Sequence, residues 1–242
     1  MKGNRKLKPG QIVTILLWVA CITFLIWRIN WYNDYMESLS DWIIEDNTVK
    51  KFNGHLENII IDDGIKVIGS GAFSRHDEIR KVSLPSSVHR IRDNAFRFCY
   101  SLEEINFPDN LKEINELAFY GDRSLGYVEF PEGLEIIGFG AFHTCESMIF
   151  SHLPQSLKMI GVDAFKNCKS ITYVEIPPMV TSIPSGAFEN CPLLEDVVIP
   201  ETVKDIHYLA FAGSDNIMIH CSAGSEAEHF ALEANIPIIY IE

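Results

Sequence analysis

One dipeptide constrains this chain more than any other feature. Alanine followed by phenylalanine recurs at Ala72, Ala95, Ala118, Ala141, Ala164, Ala187 and Ala210, and every step is 23 residues with no insertion or deletion. A fixed period in this range is the signature of a solenoid, in which each unit buries its apolar face only against its neighbours. The 242 residues would allow one or two domains by length. The unbroken period instead makes the repeating part a single elongated stack.

Aligned, the copies read Leu-x-x-Ile-x-Ile-Pro-x-x-Leu-x-x-Ile-x-x-x-Ala-Phe-x-x-Cys. The first segment, as in Leu194, Val197 and Ile199, alternates with period two near its end and reads as a short strand. Prolines at 85, 108, 131, 154, 177 and 200 close each strand, since proline cannot donate to a ladder. The second segment, such as Val203 to Ile206, returns along the other side. At the corner, Ala permits close approach and Phe fills the interior. Seven stacked rings would form a continuous apolar spine, each worth roughly 1.5–3 kcal/mol when buried. A degenerate unit precedes the first full copy: Leu56, Ile59, Ile61, Ile65 and Ile68 stand where Ile79, Val82, Leu84, Val88 and Ile91 stand one period later. The count is about eight units.

The joint recurrence of spacing, Pro, Ala-Phe and Cys over about Leu56 to Phe211 resembles the BspA-like, or treponemal-type, leucine-rich repeats of bacterial surface proteins and some protists. The resemblance implies a β-rich leucine-rich repeat solenoid of 23-residue units, with a curved parallel sheet on its concave face and short strands or turns on its convex side. It also implies adhesion, host-matrix binding or protein–protein contact at a cell surface. Two positions depart from the pattern. Asp122 replaces Cys, and Ser151 stands where the other copies carry Ile or Val.

The ends of the chain read differently. Residues 1–10 are basic and polar, and residues 11–32 begin with an almost wholly apolar run from Gln11 to Trp27. At about 1.5 Å per residue that run spans roughly 25 Å, the short end for a bilayer. Trp27, Trp31, Tyr32 and Tyr35 follow it, as suits an interface. The cationic residues before it predict a cytoplasmic amino terminus and an outside body. We read residues 11–32 as an uncleaved transmembrane signal anchor in the cell membrane. Cleavage with secretion is the alternative, and lipidation at Cys21 a weaker one because Trp18 stands where a small residue is expected. Residues 33–55 form a stalk and a polar lid, with small strands around Asp46-Asn47. Residues 56–214 are the solenoid. Residues 215–242 close it, because Ser225 to Glu228 is a capping-box pattern opening a short helix to about Ala234, followed by a last strand.

Charge and cysteines exclude several classes. The first 32 residues carry five basic side chains and no acid, leaving 15 of the 20 basic residues against 33 acidic ones, a balance of −18 in the body. Nucleic acid, which needs a basic face, is a poor partner for it. Cys99, Cys145, Cys168 and Cys191 share one repeat position. Stacked equivalents would lie roughly 5 Å apart with parallel side chains, which suits a disulfide in separation but not in torsion. Buried apolar thiols are therefore expected, with disulfides as the alternative. No Cys-x-x-Cys or His-x-x-x-His spacing suggests a metal, and no glycine-rich loop or nucleophile elbow suggests a cofactor or an enzyme.

Function is left to the positions that the pattern leaves free. Alternate strand residues share a face, so one outward row should run Lys81, Glu104, Tyr127, Phe150, Tyr173, Asp196. The next should run Ser83, Asn106, Glu129, His152, Glu175, Val198. Aromatics on neighbouring strands pair well and can simply stabilise a sheet. They also concentrate at binding hot spots. Tyr127, Phe150 and Tyr173, rimmed by Glu129, His152 and Glu175, are the candidate contact platform for an extracellular protein or a glycan. A passive spacer with a featureless face is the competing reading. An enzyme reading would use Glu129 and Glu175, whose Cα atoms two strands apart would lie roughly 10 Å from each other. It would also need a closed pocket between them.

Overall fold

A computed structural model describes Arg28 and residues 41–241. The proposed signal anchor, Arg28 apart, and residues 33–40 of the stalk lie outside the described residues, and among the described residues no helix is long and apolar enough to cross a membrane. Residues from Ile44 onward form one compact unit.

Strands β1 (Trp42–Glu45) and β2 (Thr48–Phe52) flank Asp46 and Asn47, both at positive φ. Two consecutive left-handed residues are the turn that matches strand twist in a two-residue hairpin. Each later repeat contributes two short strands. The first of each pair are β3 (Asn58–Ile60), β5 (Lys81–Ser83), β7 (Glu104–Asn106), β9 (Tyr127–Val128), β11 (Ile149–Phe150), β13 (Tyr173–Glu175), β15 (Asp196–Val198) and β17 (Met218–Cys221). The second are β4 (Val67–Ile68), β6 (Arg90–Ile91), β8 (Glu113–Ile114), β10 (Ile136–Ile137), β12 (Met159–Ile160), β14 (Ser182–Ile183) and β16 (Asp205–Ile206). Strands β2 to β17 pair in parallel one repeat to the next, in two ladders, except between β7 and β9, β11 and β13, and β12 and β14. The period sets the register: Val82 lies beside Ile105, and Ile114 beside Ile137 beside Ile160. A third ladder runs through the corners, where the Phe N–H of one repeat donates to the Ala carbonyl of the next, from Phe73 to Ala95 at 2.7 Å through Phe188 to Ala210 at 2.8 Å.

The corner rings form the expected spine. From Phe73 to Phe211 successive ring centroids lie 4.9 to 5.7 Å apart and within 8° of parallel. That spacing is close to the 4.7–4.9 Å of a β-ladder, so the backbone repeat dictates the stacking. Phe52 and Phe230 cover its two ends with tilted rings. Leu56 departs from its equivalents and is exposed, because β3 is the open edge of the first ladder.

The four repeat cysteines and Cys221 are free, buried thiols. Each repeat cysteine donates to the carbonyl of the Phe 26 residues earlier: Cys99 to Phe73, Cys145 to Phe119, Cys168 to Phe142 and Cys191 to Phe165, at 3.0 to 3.3 Å. Ser214 copies the bond to Phe188 at 2.8 Å. Burial pushes the thiols up, Cys191 to about 12. Asp122 occupies the same place, fully buried. Its Oδ1 accepts from the Cys99 N–H at 2.8 Å, while its Oδ2 is buried without a partner.

Both strand ladders are interrupted at one interface. β11 and β13 are not paired, and neither are β12 and β14. In the second ladder the cause is Pro184. The equivalent N–H groups of Asn115, Gly138 and Gly161 donate to the isoleucine one repeat earlier at 2.8 to 2.9 Å. Proline has no N–H to give. In the first ladder the cause is Ser151. Kept in register, its hydroxyl would enter the apolar interior, at the cost of an unmet hydrogen bond. The strand instead slips by one residue, so that Ile149 pairs with Tyr127 and Phe150 with Val128. Ser151 then lies exposed, 2.8 Å from His152 Nδ1.

At the carboxy end, helix α1 (Glu226–Glu233) starts from Ser225, whose Oγ accepts from the Glu228 N–H at 3.3 Å. Asn235, at positive φ, follows it. Strand β18 (Ile238–Tyr240) then pairs in parallel with β17.

Candidate functional site

The outward face of the first ladder is built by the pleat. In β5, β7 and β13 the middle residue is buried and its neighbours exposed, so the free positions of the repeat face solvent. Lys81 and Glu104 join across adjacent strands at 2.8 Å.

Tyr127 and Tyr173 lie on this face with 55% and 39% of their surface exposed. Phe150 does not. The slip in β11 turns its ring inward, 5.5 Å from Phe130 and 5.7 Å from Phe165, and puts Ile149, 44% exposed, in the outward place beside Tyr127. A one-residue shift moves every side chain of a strand to the other face. The sequence signal for this was Ser151 itself, a polar residue at an inward position. The expected row of three aromatics is therefore Tyr127, Ile149 and Tyr173.

Tyr127 stands between two open grooves. One, of about 500 Å³, includes Ile60, Lys81, Glu104 and Asn106 in its lining. The other, of about 630 Å³, is lined in part by Asn106, Asp109, Glu129, Glu132 and His152. Glu129 and His152 thus come together, and His152 Nε2 meets Glu132 Oε1 at 2.9 Å. Asp109 and Glu132, which follow the strand-closing prolines and fall outside the two strand rows, are acidic members that strand alternation alone could not find. Glu175 lies apart from this groove, where its Oε2 accepts from the Tyr173 hydroxyl at 3.2 Å. Burial, then the Glu175 charge, raise the Tyr173 phenol. Glu129 and Glu175 are both exposed, and the groove that holds Glu129 is open and does not include Glu175. Among the described residues no group of histidine, cysteine and carboxylate side chains could hold a metal ion.

Parallel strand ladders, a buried corner spine and a 23-residue register define a leucine-rich repeat solenoid. The family model of the BspA type leucine rich repeat region matches in six copies, over residues 43–152 and 112–225. The chain belongs to this family, whose fold is typically non-enzymatic and consistent with protein–protein interaction. Among solved structures it is similar to a leucine-rich repeat protein of T. pallidum, at 29% identity and a TM-score of 0.62, over 68% of this chain and 81% of that one. It is also similar to a leucine-rich repeat protein of Bacteroides ovatus, at 25% identity and a TM-score of 0.65, over 74% of this chain and 52% of that one. A leucine rich cell surface protein of Faecalibacterium prausnitzii shares the fold at 21% identity and a TM-score of 0.50, over 72% and 62% of the two chains. Comparison with curated proteins finds no match.

Proposed function

We propose that the chain is a cell-surface binding module, held in the membrane by residues 11–32 with its repeats outside, that takes an extracellular partner protein on the outward face of the first ladder. One observation carries the reading: Tyr127 stands exposed between two open grooves, one of them lined by Asp109, Glu129 and Glu132. An amphipathic ring in an open, carboxylate-lined groove suits a partner segment that presents apolar surface next to a cationic side chain. Electrostatic complementarity of that kind favours orientation and association rate.

The test pairs the full chain with its Tyr127→Ser/Tyr173→Ser variant on cells and on matrix-coated surfaces. Loss of attachment by a variant that keeps its circular dichroism and unfolding midpoint supports the reading, and unchanged attachment overturns it. Attachment abolished by glycosidase treatment of the target but resistant to its proteolysis would assign the face to a glycan. Protease shaving of intact cells that carry a carboxy-terminal tag tests the anchor. The tag should disappear from the membrane fraction.

A further inference from the structure

A different segment of the repeat carries a second cluster of rings and charge. Two residues after each corner Phe the backbone turns left-handed, at Arg75, Phe98, Gly121, Thr144, Asn167, Asn190 and Gly213, with φ between 55 and 84°. Glycine and asparagine suit that conformation and a bulky aromatic does not. Phe98 is nonetheless held there, its ring laid over Gly121 so closely that a Cβ on the glycine would stand 2.8 Å from Cδ1. The ring meets Tyr120 edge-on at 5.2 Å and Tyr100 at 5.6 Å. The Arg97 and Arg75 guanidiniums lie 4.7 and 5.8 Å from its centre.

Among the described residues five cations pair with a glutamate one repeat on, and these two arginines do not. Arg80, Lys81 and Arg90 each pair with a glutamate one repeat on, at Glu103, Glu104 and Glu113. At that distance Arg75 and Arg97 have Phe98 and Tyr120 instead. Among the described residues neither forms an ion pair, and the Arg97 Nε is buried without a hydrogen-bond partner. All six arginines beyond residue 40 lie between Arg75 and Arg123, whereas residues 124–242 hold 16 acids and four lysines. Arg75, Asp77, Phe98 and Tyr100 line an open depression of about 310 Å³. Within the lining Arg75 and Asp77 balance, and the Arg97 guanidinium, held against the Phe98 ring, adds a net positive charge beside the depression.

We propose that this cluster is a second binding surface, separate from the first-ladder face, that takes an acidic peptide segment of a partner protein. The chemistry selects a carboxylate. Guanidiniums fixed by stacking on rings present their N–H edges in the planar fork that a carboxylate matches. The Phe98 ring, with two guanidiniums over it and Gly121 beneath, offers no bare face to a sugar. Two cations without an ion pair, Arg75 and Arg97 (whose Nη1 donates to Asn94 Oδ1 at 3.3 Å), in a body of net charge −18 fall short of the continuous basic track that nucleic acid needs. A chain selected for stability alone would place asparagine or glycine at 98 and carboxylates opposite the arginines, and the exceptions coincide at one spot.

The experiment titrates the full chain, in detergent micelles, into a fluorescein-labelled peptide of five Glu-Tyr repeats and follows polarisation at low and high salt. A Lys-Tyr peptide of the same length is the control. Saturable, salt-sensitive binding of the acidic peptide alone is expected. Arg75→Gln with Arg97→Gln should weaken it at least tenfold without moving the urea midpoint, and Asp77→Asn should strengthen it several-fold. Should the double variant fail to fold, Phe98→Asn, which suits the left-handed backbone, is the second probe, and it should fold and lose the peptide tenfold. Equal binding by these variants or equal binding of the lysine peptide would each overturn the proposal. Tyr127→Ser should leave this binding unchanged, which separates it from the first-ladder face.

Discussion

Asp122 replaces the thiol of its neighbours with a carboxyl group, and the ladder around it shows what that costs. Counting back 26 residues, as from Cys145 to Phe119, reaches the Phe96 carbonyl. An ionised carboxylate cannot donate there, whereas a protonated one can. Burial drives the Asp122 carboxyl well above the usual carboxylate range, with the Cys99 N–H opposing it. A carboxyl raised on folding binds more protons in the native state than in the unfolded one, so its stabilising contribution is complete below the unfolded value near 4 and is lost as pH rises through the folded value. Asp122→Cys should therefore stabilise the protein at pH 7 by about 1–3 kcal/mol, the cost of a buried unpaired polar group. The gain should shrink as pH falls towards 4, and urea denaturation across that range checks both. In the spine, Phe165 touches the rings of Phe130, Phe142, Phe150 and Phe188. Phe165→Ala should cost about 3–5 kcal/mol, read from the same denaturation curves.

Strand placement was legible because three signals agreed at the same period: proline at the strand end, alternation before it, and Ala-Phe at the corner. The cap helix was legible for the same reason, since Ser225 and Glu228 stand at capping spacing. The slip of β11 was only half legible. Ser151 marked the trouble, but which way a strand moves depends on whether Phe150 finds room between Phe130 and Phe165, a property of two neighbouring repeats together. The second-ladder break was missed, because Pro184 falls outside the regular proline column and its effect is an absent donor. The Arg75–Phe98 cluster was also missed, since its members are unremarkable until the left-handed turns stack them. Pro184→Ala isolates the missing donor. A new bond to Ile160 is worth about 0.5–1.5 kcal/mol, and the loss of proline's rigidity removes about 0.4–1 kcal/mol. Overall stability should move little, while hydrogen exchange should show protection of the new amide.

For the whole molecule, the period is the unit of tolerance. Removing residues 89–111, one full 23-residue step, joins Val88 to Lys112 in the register they already share across the stack and should leave a shorter folded solenoid. Removing 20 residues from the same start misaligns both ladders and should unfold it. Circular dichroism and the sharpness of thermal unfolding distinguish the two. Each repeat touches only its neighbours, so the interfaces bear any pull between the two ends in series, and the weakest yields first. Between β11–β12 and β13–β14 the two strand ladders are absent, leaving the corner bonds from Asp163 to Ser185, Phe165 to Ala187 and Asn167 to Glu189, the side-chain bonds from Cys191 to Phe165 and Ser170 to Glu146, and the Lys166–Glu189 and Lys169–Glu146 ion pairs to span the gap. A molecule tethered at one end and gripped at the other would part there. Optical-trap extension should show a first rupture that splits the stack into an amino-terminal and a carboxy-terminal block, and Pro184→Ala should raise the force at which it comes.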